Sequence, residues 1–341
     1  MENLVVNAMF SWKNKRVFIT GASGLLGSWL TEALVAKGAT VVVLVRDWVP
    51  ESLLLSSATL EHVTVVRGDL VDIDVVERVL NEYEIDTVFH LGAQTIVQTS
   101  NRSPLSSFES NIKGTWVLLD ACRHLGTVQR IVIASTDKAY GTQPILPYTE
   151  EMPLLACHPY DVSKACADMI AQAYYATYKL PLAITRCGNI YGGGDLNFNR
   201  IIPGTIRSLY DNERPIIRSD GQYIRDYIYI KDVIAGYILL AENLHRSDVQ
   251  GQAFNFSTNN RLFVIDVVDT IKIIMQIDRE PIIQNTASGE ILAQYLSSEK
   301  AARVLGWKAQ YDLTQGLQET IAWYTTFFHK QQKQEAASDD E

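Results

Sequence analysis

Cysteine is scarce in this 341-residue chain, and its four copies, Cys122, Cys157, Cys166 and Cys187, form no C-x-x-C pair and no ordered spacing with histidine. That argues against a structural zinc site, any other metal centre or a disulfide framework, and for a reducing, cytoplasmic setting. Positive charge is also short: 30 Lys and Arg stand against 39 Asp and Glu, a formal net charge of −9. Without a basic face, neither nucleic acid nor an anionic membrane is expected as a partner, although a local basic pocket for one phosphorylated ligand remains compatible. Long apolar runs are missing, so nothing approaches the roughly 18 apolar residues a membrane span needs. The opening MENLVVNAMFSWKNKR has no basic start followed by an apolar core, which argues against a secretory signal. No repeat of fixed period is present. From His329 the chain is almost wholly polar, so residues 329–341 are expected to be a disordered tail with nothing apolar to bury.

What is present is the balance of a folded enzyme-sized protein, 47% apolar and 20% charged. RVFIT, TVVVLV, VTVVRG, TVFHL, RIVIAS and LAITR are short β-branched runs separated by segments of helical period. Continuous apolar strands alternating with helices predict an α/β fold, a Rossmann-type doubly wound parallel sheet covered on both faces. After Tyr191 a glycine-rich loop and the aromatic stretch RPIIRSDGQYIRDYIYI break the alternation, and a smaller lobe is expected to begin. The expected division is a dinucleotide-binding domain over 12–190, to which 226–257 returns, and a substrate-binding lobe over 191–225 and 258–328.

GASGLLG follows VFIT directly, with Gly21, Gly24 and Gly27 three apart between a strand and a helix. In that context the glycines allow a tight turn, close approach of backbone to a pyrophosphate, and close helix packing, while the helix N-terminus offers N–H groups. Asp47 lies about twenty residues beyond Gly27 and suits a ribose hydroxyl pair; Arg46 beside it suits a 2′-phosphate equally, so NAD and NADP both remain open. Asp69, at the end of the third run, is a candidate for the adenine amino group, or alternatively a helix cap.

Tyr160 and Lys164 stand four apart in a helix-period segment, hence on one face. A lysine so placed holds the ribose and lowers the phenol's pKa, normally ~10, so that the tyrosine takes a hydroxyl proton near neutrality. The same spacing recurs at Tyr175 and Lys179, where nothing else suggests a site. His90, at a strand end, reads as a packed neutral imidazole and is left out of the chemistry.

Together with FHLGAQ, NIKGT, STD after the fifth run, RCGNIYG, YIRDYIYIKDV, FNFST and LGW, these motifs resemble the extended short-chain dehydrogenase/reductase superfamily, the nucleotide-sugar epimerases and dehydratases, over roughly residues 15–325. Epimerases usually carry Ser or Thr followed by small residues where this chain has Thr136, Asp137 and Lys138. Sugar 4,6-dehydratases place an acid beside a second ionisable group there. The Asp-Lys pair, SWL after the glycine loop, GGGD and RIIP are similar to CDP-glucose 4,6-dehydratases, and Asp-Lys also occurs in some UDP-N-acetylglucosamine 4,6-dehydratases.

That resemblance implies a bound NAD or NADP that ends turnover as it began, with Leu25 and Leu70 joining the cofactor contacts. It implies that Thr136 hydrogen-bonds the sugar C4 oxygen, that Tyr160 removes its proton, and that Asp137 acts as acid towards the C6 oxygen and Lys138 as base towards C5, roles that the chemistry also allows to be exchanged. It points to Asn189 and Arg225 at the substrate diphosphate, to Asn111 near the catalytic helix or, equally, as a buried residue bridging loops, to Gln94 beside the substrate, and to Tyr295 over the sugar or, in the plainer reading, as an aromatic core residue. Arg200 and Arg218 are further cationic candidates for the diphosphate. The helical segments NIKGTWVLLDACRHLG and YDVSKACADMIAQAYYATYK fit the pair that superfamily homodimers bundle together. The competing readings are an epimerase on the same scaffold and a non-catalytic NAD(P)-sensing regulator, the latter commonly lacking the tyrosine that this chain keeps.

Overall fold

The computed structural model of the protein describes residues 10–286 and 290–339. The six β-branched runs become β1 (Arg16–Thr20), β2 (Thr40–Val45), β3 (Val63–Arg67), β4 (Thr87–His90), β5 (Arg130–Ala134) and β6 (Leu182–Cys187). Between them lie α1 (Leu25–Ala36), α2 (Ile73–Glu82), α3 (Val97–Arg102), α4 (Pro104–Phe108), α5 (Gly114–Leu125) and α6 (Pro159–Tyr178). Thereafter the strands shorten: β7 (Asn189–Tyr191), β8 (Ile216–Ile217), β9 (Ile224–Arg225), β10 (Tyr227–Tyr229), β11 (Ala253–Phe256), β12 (Leu262–Phe263) and β13 (Ile282–Ile283). The accompanying helices are α7 (Ile201–Tyr210), α8 (Ile230–Glu242), α9 (Val264–Met275), α10 (Glu299–Leu305) and α11 (Leu313–Asp339).

Seven strands form one parallel sheet in the order β11-β6-β5-β4-β1-β2-β3, a Rossmann-type doubly wound α/β fold. Alternate residues explain why the strands are apolar along most of their length. Val17, Ile19, Val41, Val43 and Phe89 enter one core, while Phe18, Val42, Leu44, Val88 and Ile131 enter the other, on the opposite face. The order reverses between β1 and β4, and a ligand crevice opens at the carboxyl ends of strands flanking such a switch. The last parallel strand, β11, pairs with β6, and α8 packs on β5 and β6, so the chain returns to the sheet after leaving it. The smaller lobe is built from α7, α9 and α11 with the two-residue pairs β9/β12 and β8/β13.

The polar end departs from expectation. Instead of a disordered tail from His329, α11 continues to Asp339. Its outer turns are held from the side, since the Tyr210 ring meets His329 at 5.6 Å and Tyr210 Oη donates to Gln332 Oε1 at 3.2 Å. Residues 340 and 341 lie outside the described part. Among the described residues no cluster of three or more His, Cys, Asp or Glu side chains is placed to hold a metal, and no helix is long and apolar enough to cross a membrane.

Candidate active site

The turn between β1 and α1 is shaped by its glycines in different ways. Gly21 has φ +72°, and a Cβ there would stand 2.7 Å from the Gly92 nitrogen; at Gly27 a Cβ would come within 2.2 Å of the Gly21 oxygen. Gly24 is different, with nothing nearer than 3.4 Å on that side. It is the N-cap of α1, makes no side-chain cap and is followed by no acid in the first turn. The first N–H groups of α1 are thus left for an outside acceptor, at the end where the helix dipole favours an anion. Gly21, Gly24, Leu25 and Gly27 line a cleft of about 1080 Å³. This is a cradle fitted to the diphosphate of a dinucleotide.

Four other expected cofactor contacts, Arg46, Asp47, Asp69 and Leu70, do not line that cleft. Arg46 and Asp47 lie exposed just past β2 and pair with each other at 2.7 Å, Arg46 also reaching Ser110 Oγ at 3.4 Å. The Asp69 carboxylate accepts from Val71 N at 3.2 Å and closes its own turn. The helix cap is Asp72, which accepts from Asp74 N and Val75 N, so the alternative reading of Asp69 as a cap is corrected. Leu70 is a core residue, packed where a Cβ on Gly114 would fall 2.8 Å from its Cδ2.

Thr136, Asp137, Lys138, Tyr160 and Lys164 do line the cleft together. Thr136 caps a tight turn, Asp137–Tyr140: its Oγ1 accepts from Lys138 N at 3.4 Å and donates to Asp137 Oδ1 at 3.1 Å. Asp137 is 3% exposed and its Oδ2 has no partner. Burial pushes its pKa up against the opposing pull of Lys138, the Thr136 hydrogen bond and Arg225. The neutral acid, able to donate, is the form so favoured. Lys138 also acts on Asp161, a buried carboxyl next to Tyr160 whose pKa burial raises. The Lys164 ammonium donates to the Ala134 carbonyl at the end of β5. Burial lowers Lys164 to about 8, with Asp168 opposing, and lifts Tyr160 to about 12, with Arg200 opposing, so the expected lowering of the phenol by Lys164 is corrected: burial of the side chain outweighs it. The second pair of that spacing, Tyr175 and Lys179, lies at the far end of α6 with the ammonium 5.2 Å from the ring centre, away from the cleft.

Three expected substrate contacts are corrected. Asn111 is buried, donating to Gln94 O at 3.1 Å and Ser163 Oγ at 2.8 Å and accepting from Gln94 N at 2.7 Å, so it bolts the loop after β4 to α6 and does not line the cleft. Gln94 spends its side-chain oxygen on Ile96 N at 3.0 Å and does not line the cleft. Tyr295 lies under the Arg261 guanidinium at 4.6 Å, also off the cleft. His90 is buried with Nδ1 2.9 Å from Thr20 Oγ1 and Nε2 2.9 Å from Thr115 Oγ1. Thr20 Oγ1 already accepts two N–H groups and Thr115 Oγ1 donates to Asn111 O, so the hydroxyl of Thr20 donates to Nδ1 and Nε2–H donates to Thr115. Burial and Lys164 lower this imidazole to about 3, and it is neutral.

Asn189, Arg200, Arg218 and Arg225 line the smaller-lobe side of the cleft. Asn189 is fixed through its backbone and side-chain N–H groups, both donating to Asp226 O, at 2.8 and 3.2 Å. Arg200 pairs with Asp195 at 2.9 Å, Arg218 donates to Asn199 O at 3.1 Å, and Arg225 pairs with Glu290 at 3.2 Å. Sequence reasoning missed Arg207, Glu290 and Asp161. Arg207 was findable, because it stands seven residues after Arg200, two turns along one helix face. Nothing in the local pattern marks Glu290.

Comparison with known proteins finds similar chains and similar folds. The profile of the GDP-mannose 4,6 dehydratase family matches residues 18–320. The chain is 30% identical to CDP-glucose 4,6-dehydratase of Salmonella typhimurium over 336 residues, 92% of this chain and 91% of that protein. It is 32% identical over 326 residues, 93% of this chain, to an Arabidopsis thaliana trifunctional UDP-glucose 4,6-dehydratase, 3,5-epimerase and reductase, of whose length it spans 48%. Among solved structures, dTDP-glucose 4,6-dehydratase of Streptomyces venezuelae with NAD bound superposes with a TM-score of 0.82 at 27% identity, covering 91% of this chain and 97% of the other. An epimerase of Methanothermobacter thermautotrophicus superposes at 0.87 with 26% identity over 94% of this chain and 95% of its own.

Proposed function

This chain belongs to the GDP-mannose 4,6 dehydratase family and is an enzyme, a nucleotide-sugar 4,6-dehydratase that uses NAD; we propose that its substrate is CDP-glucose and that Thr136, Asp137, Lys138, Tyr160 and Lys164 carry the reaction. The observation that carries this reading is the convergence of those five side chains on the cleft that the glycine turn opens. An epimerase needs only the C4 chemistry of Tyr160. A buried carboxyl and a lysine amine side by side over the same cleft serve a further step, the amine in its neutral form taking the C5 proton as the carboxyl protonates the departing C6 oxygen. Three features favour CDP-glucose. The Salmonella relative matches nearly end to end. The Asp-Lys pair is present. The SWL and GGGD motifs touch, Trp29 Nε1 donating to Gly193 O at 2.8 Å.

In this reading Thr136 donates to the C4 oxygen while Tyr160 takes the C4 hydroxyl proton and Lys164 holds the ribose. NAD, when bound, accepts a hydride from C4 and returns it to C6. Once C4 is a ketone, the C5 proton is acidified. Lys138 removes it, and the neutral Asp137 carboxyl gives its proton to the C6 oxygen, which leaves as water. The proton then returns to C5, so the net change is loss of one water. Asn189, Arg200, Arg218 and Arg225 hold the diphosphate. Residues 12–190 with 226–257 form the dinucleotide-binding unit, and 191–225 with 258–328 the substrate lobe. A homodimer belongs to the same reading, supported by Trp116 on α5 and Met169 on α6, 43% and 60% exposed; a monomeric mass in sedimentation at micromolar concentration would refute it. The four cysteines, all free, suit a cytoplasmic setting.

The test is incubation with CDP-glucose, UDP-glucose, dTDP-glucose and GDP-mannose, scored by mass and by the near-ultraviolet absorption of the keto sugar in alkali. The expected result is a product lighter by one water, formed fastest from CDP-glucose. A product of unchanged mass would replace dehydratase by epimerase, and preference for another nucleotide would overturn the substrate alone.

A further inference from the structure

The acid and base of the elimination and the tyrosine of the oxidation sit on different elements. Asp137 and Lys138 belong to the turn leaving β5, whereas Tyr160 and Lys164 belong to α6. Both must address one hexose. A buried polar chain joins them, and no step described so far uses it.

Asp168 continues the Tyr160–Lys164 face of α6 by one more turn and is fully buried. Both of its oxygens are held by Arg186 of β6, at 2.8 and 3.0 Å, and the arginine side chain is 3% exposed. Arg186 Nη1 donates onward to Tyr140 Oη at 2.9 Å, with the guanidinium 4.9 Å from the centre of the Tyr140 ring. A guanidinium cannot accept, so the Tyr140 hydroxyl proton has one direction to go, to Asn255 Oδ1 of β11 at 2.8 Å. Asn255 Nδ2 donates to Tyr148 O at 3.0 Å, and Tyr148 Oη donates to Gly141 O at 2.7 Å. Gly141 directly follows the turn, at φ +64°, where a Cβ would stand 2.1 Å from Leu155 O. The turn is therefore gripped at its last residue by α6 and β6, and at the next residue by Tyr148.

We infer that Tyr140 is a positioning residue of the elimination step, setting the Asp137–Lys138 turn against the catalytic helix through Arg186 and Asp168. This rests on the assignment of Asp137 and Lys138 to that step. Catalytic groups must be held to fractions of an ångström, and misplacement by about 1 Å costs on the order of 100-fold. Oxidation at C4 uses α6, the cofactor cradle and Thr136, which caps the turn at its β5 end, away from Tyr140 at its last residue, so it is slowed less than loss of water by a shift of that last residue. A merely structural tyrosine would weaken both alike.

The experiment compares unsubstituted protein with Tyr140→Phe and Tyr148→Phe, loaded with NAD and given CDP-glucose, or whichever nucleotide sugar turns over fastest. Two quantities are read: dehydration rate, and the fraction of cofactor held reduced during turnover. Each variant is expected to dehydrate about 10- to 100-fold more slowly while the reduced fraction rises. Thr320→Val on α11, which loses a buried hydroxyl donating to Gly316 O at 2.7 Å, is expected to leave that fraction unchanged. Because the two Phe variants break the chain at different points, failure of one to fold leaves the other to decide. An unchanged reduced fraction, or an equal fall of both half-reactions, overturns the positioning role while dehydration by the unsubstituted protein upholds the function. If the unsubstituted protein dehydrates no nucleotide sugar, the function falls and this role with it.

Discussion

Asp137 and Asp226 are both buried, and each leaves one carboxylate oxygen without a partner. Around Asp226 the facing groups are Ser257, Leu296 N, Thr258 and Asp137, and burial lifts its pKa from 3.8 to about 7. Its folded form therefore holds a proton that the unfolded chain has already released, and folding stability falls as pH rises between about 4 and 7. Asp226→Asn removes that slope. At about 1.4 kcal/mol per pKa step, the variant's advantage over the parent grows across this window to at most roughly 4 kcal/mol above pH 7. Thermal melts of both proteins from pH 4 to 8 check it, and parallel curves would sink it. In the cleft, Tyr160→Phe is expected to prevent cofactor reduction by the sugar, whereas Asp137→Asn and Lys138→Ala allow reduction and stall there, each slowing dehydration by at least about 100-fold. Single-turnover absorbance of the reduced nicotinamide separates the two behaviours. These five residues were legible because their motifs are contiguous or one helical turn apart. Asn111 and Tyr295 stayed open between two readings, since a polar side chain's partner decides its role, and theirs come from distant segments, Ser163 for Asn111 and Arg261 for Tyr295; Gln94 instead turns its side-chain oxygen to Ile96 N, two residues on.

At the scale of elements, the long ones announced themselves. Strands β1, β2 and β4 to β6 are buried along most of their length and so are largely apolar, with Arg186 of β6 held in an internal ion pair, and α1 and α6 are long enough to show their period. The two- and three-residue strands of the smaller lobe are too short to carry any period, and they are held by partners far along the chain, as Arg225 by Leu262. Asp69 and Asp72 both suited a cap by type; the acid directly before the helical run takes it. The β1–α1 turn offers a prediction that separates packing from binding. In Gly27→Ala the new methyl meets the Gly21 oxygen at 2.2 Å, a backbone atom that cannot swing aside. A loss of about 1–3 kcal/mol or more in stability is expected. In Gly24→Ala the space is ordinary and φ is −79°, so stability should change by about 1 kcal/mol or less. Its methyl instead enters the cradle, and NAD affinity is expected to drop at least about tenfold, equivalent to ~1.4 kcal/mol. Denaturant unfolding beside NAD titration distinguishes them, and tight NAD binding by Gly24→Ala would remove the diphosphate from that turn.

Across the whole molecule the charge is negative, −9 in total, yet the smaller-lobe wall of the cleft carries Arg200, Arg207, Arg218 and Arg225. These arginines come from α7, from the strand segments after it and from β9, so only the folded chain gathers them, and composition points the wrong way. Three of the four are already engaged by Asp195, Asn199 O and Glu290. Arg207, which lines the same cleft, differs: its guanidinium lies 4.3 Å from the Phe198 ring centre, and among the described residues its side chain has no hydrogen-bond or carboxylate partner. An anionic diphosphate entering an otherwise acidic protein gains attraction there before it reaches the sugar site, and the same attraction persists through the reaction. Interactions equal in ground state and transition state change KM and leave kcat alone. Arg207→Ala is therefore expected to raise KM for the nucleotide sugar about tenfold, within the ~1.5–3 kcal/mol of a hydrogen bond to a charged group, with kcat nearly unchanged. The unsubstituted KM should climb with salt, as partly exposed charges are screened over ~10 Å at 0.1 M, and the climb should be shallower in the variant. Steady-state kinetics at three ionic strengths measures both slopes; equal slopes, or a kcat that falls with KM steady, would take Arg207 out of substrate capture.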